Sequence, residues 1–354
     1  MDEGSFGKVR SMLFPRNVVI GHGVLEDIPQ VCKDFGLSGK AVIITGGKTK
    51  DVAAETVASL LKNNNYAVET VSVGTATKEN LQEVVDFAKD EQADFLIGVG
   101  GGSKIDLAKM AAMELEMEFI SVPTSASHDG IASGRASIKG PDGPISMEAK
   151  TPLGIVADTS VIVKAPFRLL VAGCADVISN ITAIKDWAYA ERLRGEEFSR
   201  SACAMALYTS EAIIESADLI KPGVEESVWL ALKPIIVSGV SMSVAGSSRP
   251  TSGSEHMFSH ALDMIVPGRA LHGEQCGVGC IMMMYLHGGD WMAVRDALIK
   301  LGAPTTARGL GVTKEEILEA LTMAHKIRDR FTILGHQGLT YEAAERLAKI
   351  TKVI

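Results

Sequence analysis

The sequence predicts an α/β domain built on a doubly wound, mainly parallel sheet, followed by an all-α domain, with the active site in the cleft between them. Three observations carry this expectation. Strand-like apolar runs alternate with amphipathic helical stretches through the first half. One of those runs ends in Gly100-Gly101-Gly102 and passes directly into a helix. From Pro166 onward the periodicity is helical almost to the end. The expected domains are therefore residues 1–165 and 166–354.

In chain order, Asn17 to Ile20 is a short β-branched strand, and Val24 to Phe35 has helical spacing that stops at Gly36. Lys40 to Thr45 is almost continuously apolar, as a strand covered on both faces requires. Gly46 and Gly47 break it, and Asp51 to Lys62 reads as an amphipathic helix stopped by Asn63-Asn64-Asn65. Next come strand Tyr66 to Val73, helix Glu79 to Asp90 capped by Thr77, and strand Phe95 to Val99. Helix Ser103 to Leu115 and strand Glu118 to Val122 follow. Ala136 to Lys139 and Ile145 to Met147, joined by Gly140-Pro141-Asp142-Gly143-Pro144, read as a hairpin. Gly154 to Val163 is one more strand. In the helical half, Glu315 to Arg330 and Tyr341 to Lys352 are plain amphipathic helices.

A chain of 354 residues is too long for one ordinary core and suits two domains. With 46% hydrophobic and 22% charged residues it is a globular composition. The net charge of -8 argues against nucleic-acid binding, which needs a basic face, but leaves small anionic ligands open. The five cysteines, Cys32, Cys174, Cys203, Cys276 and Cys280, have no zinc-finger spacing and read as buried, reduced thiols. The start Met1-Asp2-Glu3-Gly4-Ser5 has no apolar signal region. No uninterrupted apolar run is long enough to span a bilayer. The expectation is a cytoplasmic protein that does not span a membrane, and a helical surface of this size predicts a homo-oligomer.

Ser252 to Gln275 holds three of the eight histidines, His256, His260 and His272, bordered by Glu255, Asp263 and Glu274. His256 and His260 are four apart, so a helix presents them from one face at metal-ligand spacing. The zinc-protease glutamate is absent, because Met257 follows His256. Satisfied interior histidines are the plain alternative; the clustering favours a metal or proton-transfer site. The triple-glycine turn before Ser103, Lys104 and Asp106 lets a phosphate approach the main chain at a helix start. It fits neither the Rossmann fingerprint nor a P-loop, and a tight packing turn is its plain alternative. Thr45-Gly46-Gly47-Lys48 has no acid at the strand tip, so a 2′-phosphate is not rejected there. Thr124, Ser125, Ser127 and Asp129 follow the next strand and should share the crevice. Asp176, in Gly173-Cys174-Ala175-Asp176, sits where a helix is expected to begin; taken alone it reads as an N-cap.

Together these motifs resemble the metal-dependent polyol dehydrogenases, the superfamily of glycerol dehydrogenase, iron-type alcohol dehydrogenases and dehydroquinate synthase. Within it, Pro123 to Gly130 and Ser248 to His256 resemble the sn-glycerol-1-phosphate dehydrogenase family. The resemblance covers essentially the whole chain. It implies NADH- or NADPH-dependent reduction of dihydroxyacetone phosphate, supplying the glycerophosphate backbone of archaeal membrane lipids. An unphosphorylated polyol substrate is the alternative. It also implies Zn2+ held by Asp176, His256 and His272, with His260 against the substrate. Spacing alone would have made His260 a ligand. Asp129 would contact substrate, and Gly102, Ser103, Lys104, Asp106, Thr124, Ser127 and Ser133 would line the cofactor, alongside Gly100, Gly101 and Ser125 of the same turns. No motif identifies a phosphate clamp; Arg249 and Arg269 are proposed from position only.

Overall fold

The computed structural model describes residues 11–140 and 143–354. The signal-region reading at residues 1–5 and the hairpin tip Pro141-Asp142 lie outside the described residues. The sheet half runs β1 (Asn17–Gly21), α1 (Ile28–Asp34), β2 (Lys40–Thr45), α2 (Gly47–Thr49), a π turn (Lys50–Ala54), α3 (Glu55–Lys62) and β3 (Ala67–Ser72). It continues through α4 (Lys78–Asp90), β4 (Phe95–Gly100), α5 (Gly102–Glu114), β5 (Phe119–Pro123), β6 (Arg135–Gly140), β7 (Gly143–Glu148), β8 (Gly154–Asp158) and α6 (Thr159–Ile162). Nine helices then follow among the described residues: α7 (Phe167–Arg194), α8 (Arg200–Ser216), α9 (Glu225–Ala245), α10 (Ser254–Ile265), α11 (His272–Leu286), α12 (Trp291–Leu301), α13 (Ala307–Leu310), α14 (Lys314–Met323) and α15 (Tyr341–Ile350).

Six strands pair in parallel in the order β1-β8-β5-β4-β2-β3, and β6-β7 is a separate antiparallel hairpin. Alternation along the strands divides the core. Ile43 and Ile97 face α1 and α3, whereas Val42 and Leu96 face α4 and α5. The second face belongs to the same continuous apolar cluster as Phe258 and Met282 of the helical half. The sheet and the helical half therefore share one continuous apolar core.

Four expectations are corrected in detail. The strand from Gly154 stops at Asp158, because Asp158 Oδ1 accepts from Ser160 N at 3.0 Å and caps α6. The strand breaks at Gly46 as expected, but the helix expected from Asp51 starts earlier. Gly46 is itself the cap, Thr49 Oγ1 accepts from its N–H at 2.9 Å, and winding begins at Gly47. The helix expected to reach Arg330 ends at Met323, followed by a 3-10 turn at Ala324–Lys326. Asp176 is not at a helix start; it lies inside the 28-residue α7, buried on all sides. The helices α7 and α9 are long and apolar enough to cross a membrane by composition, but 78% and 56% of their apolar windows are buried inside this fold.

Candidate metal and dinucleotide site

Three helices bring the ligand set together. The Asp176 Oδ1 atom of α7 lies 3.5 Å from His256 Nε2 of α10 and 3.8 Å from His272 Nε2 at the start of α11. Close helix contact makes this possible. A Cβ on Gly273 would stand 1.9 Å from the Ala172 carbonyl oxygen, and one on Gly173 would stand 2.1 Å from the Ala126 oxygen. Glycine next to His272 is thus what lets α11 press against α7. Arg168 reaches from the start of α7 to Glu274 in a two-pronged pair at 2.6 and 2.7 Å, and Glu274 Oε2 accepts from Leu271 N at 2.9 Å.

Each imidazole is oriented from behind. Glu255 Oε1 lies 3.0 Å from His256 Nδ1, which leaves Nε2 toward Asp176. Ser259 Oγ donates to Gln275 Oε1 at 2.7 Å, so its single proton is committed. His272 Nδ1, 3.0 Å from that oxygen, must therefore be the donor, and Nε2 keeps its lone pair for the site. Asp186 fixes the start of α10. It accepts from Ser254 N at 2.7 Å and Ile333 N at 2.7 Å, and lies 3.0 Å from His287 Nε2.

Burial sets the protonation. It pushes the Asp176 carboxyl up to about 7, with Glu255 adding to the rise. Burial and then Asp176 push Asp129 up to about 7, while His256 and His260 are held well below the ordinary histidine value by burial and the neighbouring cations, and burial lowers His272 as well. Two neutral imidazoles and a carboxyl with nothing to neutralise its charge are a donor set that a divalent cation completes. The second nitrogens of both imidazoles are already engaged, as metal ligation requires. The set therefore fits a metal. Cys276 belongs to the same group of donors, all within 4.8 Å of one another, but burial holds its thiol well above the usual range, so it offers a protonated sulfur. Its proximity was not legible from the sequence.

His260 is not in that group. Its ring stands 6.4 Å from His256 and 5.6 Å from His272, and its buried Nδ1 has no partner in the fold. Helical spacing put it on the right face, but one turn too far along. Asp129 is tied to the site by its backbone N–H, which donates to Asp176 Oδ2 at 3.1 Å, and its carboxylate accepts from Ser238 Oγ at 2.9 Å.

A cavity of about 430 Å³ opens over this cluster, lined from both halves of the chain. Ser103, Asp106, Ser127 and Ser133 line it together with Asp129, Asp176 and the three histidines. Gly100, Gly101, Gly102, Lys104, Thr124 and Ser125 sit at the carboxyl end of the sheet without lining it; Thr124 N donates to Gly100 O at 3.0 Å. Part of the glycine requirement is packing, since a Cβ on Gly102 would meet His128 Nε2 at 1.7 Å. Ser103 Oγ accepts from Ala76 N at 2.9 Å, and Asp106 holds the hairpin through Ser137 N at 3.2 Å. Lys109, fully buried and absent from the sequence argument, donates to the carbonyls of Gly130 and Arg135 and faces Asp106 at 3.6 Å. Arg249 is corrected. Its guanidinium is filled by Glu196, with Nε–Oε1 at 2.5 Å, and by the Phe331 carbonyl at 2.9 Å, outside this cavity. Arg269 donates to Gly311 O at 3.1 Å and lines no part of it either.

The sequence is 56% identical to glycerol-1-phosphate dehydrogenase [NAD(P)+] of Methanothermobacter thermautotrophicus, over 98% of this chain and 99% of that protein. The chain belongs to the glycerol-1-phosphate dehydrogenase family. Its Methanosarcina mazei member is 55% identical over 97% of this chain and 96% of its own. The wider iron-containing alcohol dehydrogenase family matches residues 19–166. The fold of the glycerol-1-phosphate dehydrogenase family is shared with glycerol dehydrogenase of Schizosaccharomyces pombe, at a TM-score of 0.81 and 23% identity over 97% of this chain and 90% of that one.

Proposed function

We propose that this chain reduces dihydroxyacetone phosphate to sn-glycerol 1-phosphate with NADH or NADPH and a zinc ion, supplying the backbone of archaeal membrane lipids. The observation that carries this reading is the convergence of Asp176, His256 and His272 beneath a cavity that Ser103 and Ser127 also line. The names of relatives above half identity supply glycerol 1-phosphate and the NAD(P) couple, and dihydroxyacetone phosphate is the ketone that oxidation of that alcohol gives. Zinc, when bound, supplies a Lewis acid for the ketone oxygen, and the nicotinamide supplies the hydride.

The chain's own residues do the rest. Asp176 provides the negative charge that holds the cation, and Glu255 and Ser259 keep the two imidazoles turned toward it. Asp129, anchored by Ser238, holds a substrate hydroxyl. His260, neutral in the fold and lining the same cavity, is positioned to hydrogen-bond the substrate, and the proton reaches the product oxygen through it or through water. Burial of Asp176, His256 and His260 lowers the local dielectric and strengthens their contacts. We assign residues 1–165 to cofactor binding and 166–354 to metal and substrate, in a cytoplasmic homo-oligomer. Exposed Tyr208, Leu219 and Trp229, on and beside α8 and α9, support self-association.

The test is Asp176→Ala and His256→Ala. Both should lose zinc and turnover, while NAD(P)H affinity stays within about threefold, because other residues of the cavity are assigned to the dinucleotide. Full activity in a metal-free variant would sink the proposal. Equal turnover of dihydroxyacetone and its phosphate by the unaltered protein would favour a general polyol dehydrogenase.

A further inference from the structure

The cavity above the metal-ligand cluster also contains two guanidiniums that form no ion pair with a carboxylate among the described residues. Arg135 opens β6, on the hairpin whose second strand packs against α10. Arg328 follows the 3-10 turn that packs on the same helix. Both line the cavity with His256, His260 and His272. Arginine ion pairs among the described residues belong to Arg168, Arg200 and Arg249. Arg135 has only a long contact from Nη2 to the Ser146 carbonyl at 3.5 Å, and its buried Nε has no partner.

The nearby carboxylates are committed elsewhere. Asp106 faces Lys109 at 3.6 Å, Asp129 accepts from Ser238 at 2.9 Å, and Asp263 accepts from Gln275 at 2.9 Å. Asp176 faces the two imidazoles, and Glu255, whose charge acts on Arg328 from farther off, is taken up by His256 Nδ1 at 3.0 Å and by Thr182 Oγ1 at 2.8 Å. The two arginines are close enough that, after burial, Arg135 is the main cause lowering the pKa of Arg328. Two like charges left together in a partly buried cavity are costly unless an anion enters between them. The planar fork of a guanidinium matches two oxygens of a phosphate.

Resting on the functional reading above, we infer that Arg328, with Arg135 on the hairpin, grips the phosphate of the substrate and sets the preference for phosphorylated over free ketone. In the substrate one methylene and one ester oxygen separate the ketone carbon from the phosphorus. A phosphate anchor must therefore share the cavity with the metal ligands, as these arginines do and Arg249 and Arg269 do not.

The experiment compares the zinc-loaded full chain with Arg328→Gln, Arg328→Lys and Arg135→Gln, using dihydroxyacetone phosphate and dihydroxyacetone at saturating NADH. Losing a buried guanidinium–phosphate pair should raise KM for the phosphate ester about 100-fold in R328Q. The loss on dihydroxyacetone should be under about tenfold, since that substrate has no phosphate to miss. R328K should recover part of the loss, keeping the charge without the fork. Zinc content and NADH affinity, read by metal analysis and nicotinamide fluorescence, should not move. An unchanged KM for the phosphate ester, or equal losses on both ketones, overturns the assignment of Arg328. If R135Q weakens NADH and leaves that KM alone, the part given to Arg135 is overturned. Unaltered protein that fails to prefer the phosphate ester overturns the functional reading itself, whereas preference that survives R328Q overturns only this inference.

Discussion

The Glu255 carboxylate stands 3.0 Å from His256 Nδ1, one residue along the same helix. Gly253 N donates to Glu255 at 2.6 Å and Thr182 Oγ1 at 2.8 Å, so the carboxylate that turns the imidazole is itself fixed from two sides. Glu255→Gln preserves the shape and removes the charge. Zinc affinity should fall roughly 10- to 100-fold, the usual cost of losing such a partner. Competition with a chromophoric chelator measures it, and an unchanged affinity would show that His256 needs no support.

Metal binding should weaken as pH falls. In the metal-free protein burial raises Asp176 to about 7, so below that pH a proton occupies the oxygen the cation needs. Of the two imidazole ligands, His256 sits well below the ordinary histidine value and His272 is lowered by burial, so both compete for protons less than a free histidine would. For one competing proton the affinity should drop roughly tenfold per unit below about pH 7 and level off above it. The same raised carboxyl makes the metal-free fold lose this contribution to stability as pH rises through about 7. A chelator titration between pH 5 and pH 8 tests the first statement, and thermal melts of stripped protein test the second.

Gly273→Ala should be more damaging than its single methyl suggests. The added carbon would lie 1.9 Å from the Ala172 carbonyl oxygen, a backbone atom with nowhere to go. The helices α7 and α11 would have to separate, carrying His272 away from Asp176. We expect zinc retention to be lost with the helical circular dichroism retained. Zinc binding at the original affinity would show that the contact is slack.

Asp186→Ala removes an acceptor shared by Ser254 N, Ser254 Oγ and Ile333 N and leaves those buried groups unpaired. The expected destabilisation is about 2–4 kcal/mol, read from the shift in denaturant midpoint. Because Ser254 opens the histidine helix, zinc affinity should fall as well. A loss of stability with intact zinc binding would separate the two roles.

The layering of the fold was legible because it rests on periodicity. Val42 and Ile43 face opposite sides of the sheet as their neighbours in the strand require. The grouping of Asp176 with His256 and His272 came from resemblance; spacing alone pointed also to His260, since four residues along a helix place two side chains on one face but not at one point. Asp176 alone reads as a helix cap because a helix is expected to begin there among small and apolar residues, but those residues equally suit close packing inside α7. The arginines were assigned poorly. Whether a guanidinium is free depends on what approaches it in space, and Glu196, which occupies Arg249, lies 53 residues away in sequence. Lys109 gave no signal at all, since it sits in an apolar helix among alanines and its partners are backbone carbonyls.

That lysine has a mechanical consequence. Its ammonium is shared by the Gly130 carbonyl beside Asp129 and the Arg135 carbonyl at the root of the hairpin, with Asp106 of its own helix neutralising it. The loop, the hairpin and α5 are thereby clamped at one point. The loop and the hairpin that line the cavity are thus both fastened to α5 through one buried cation.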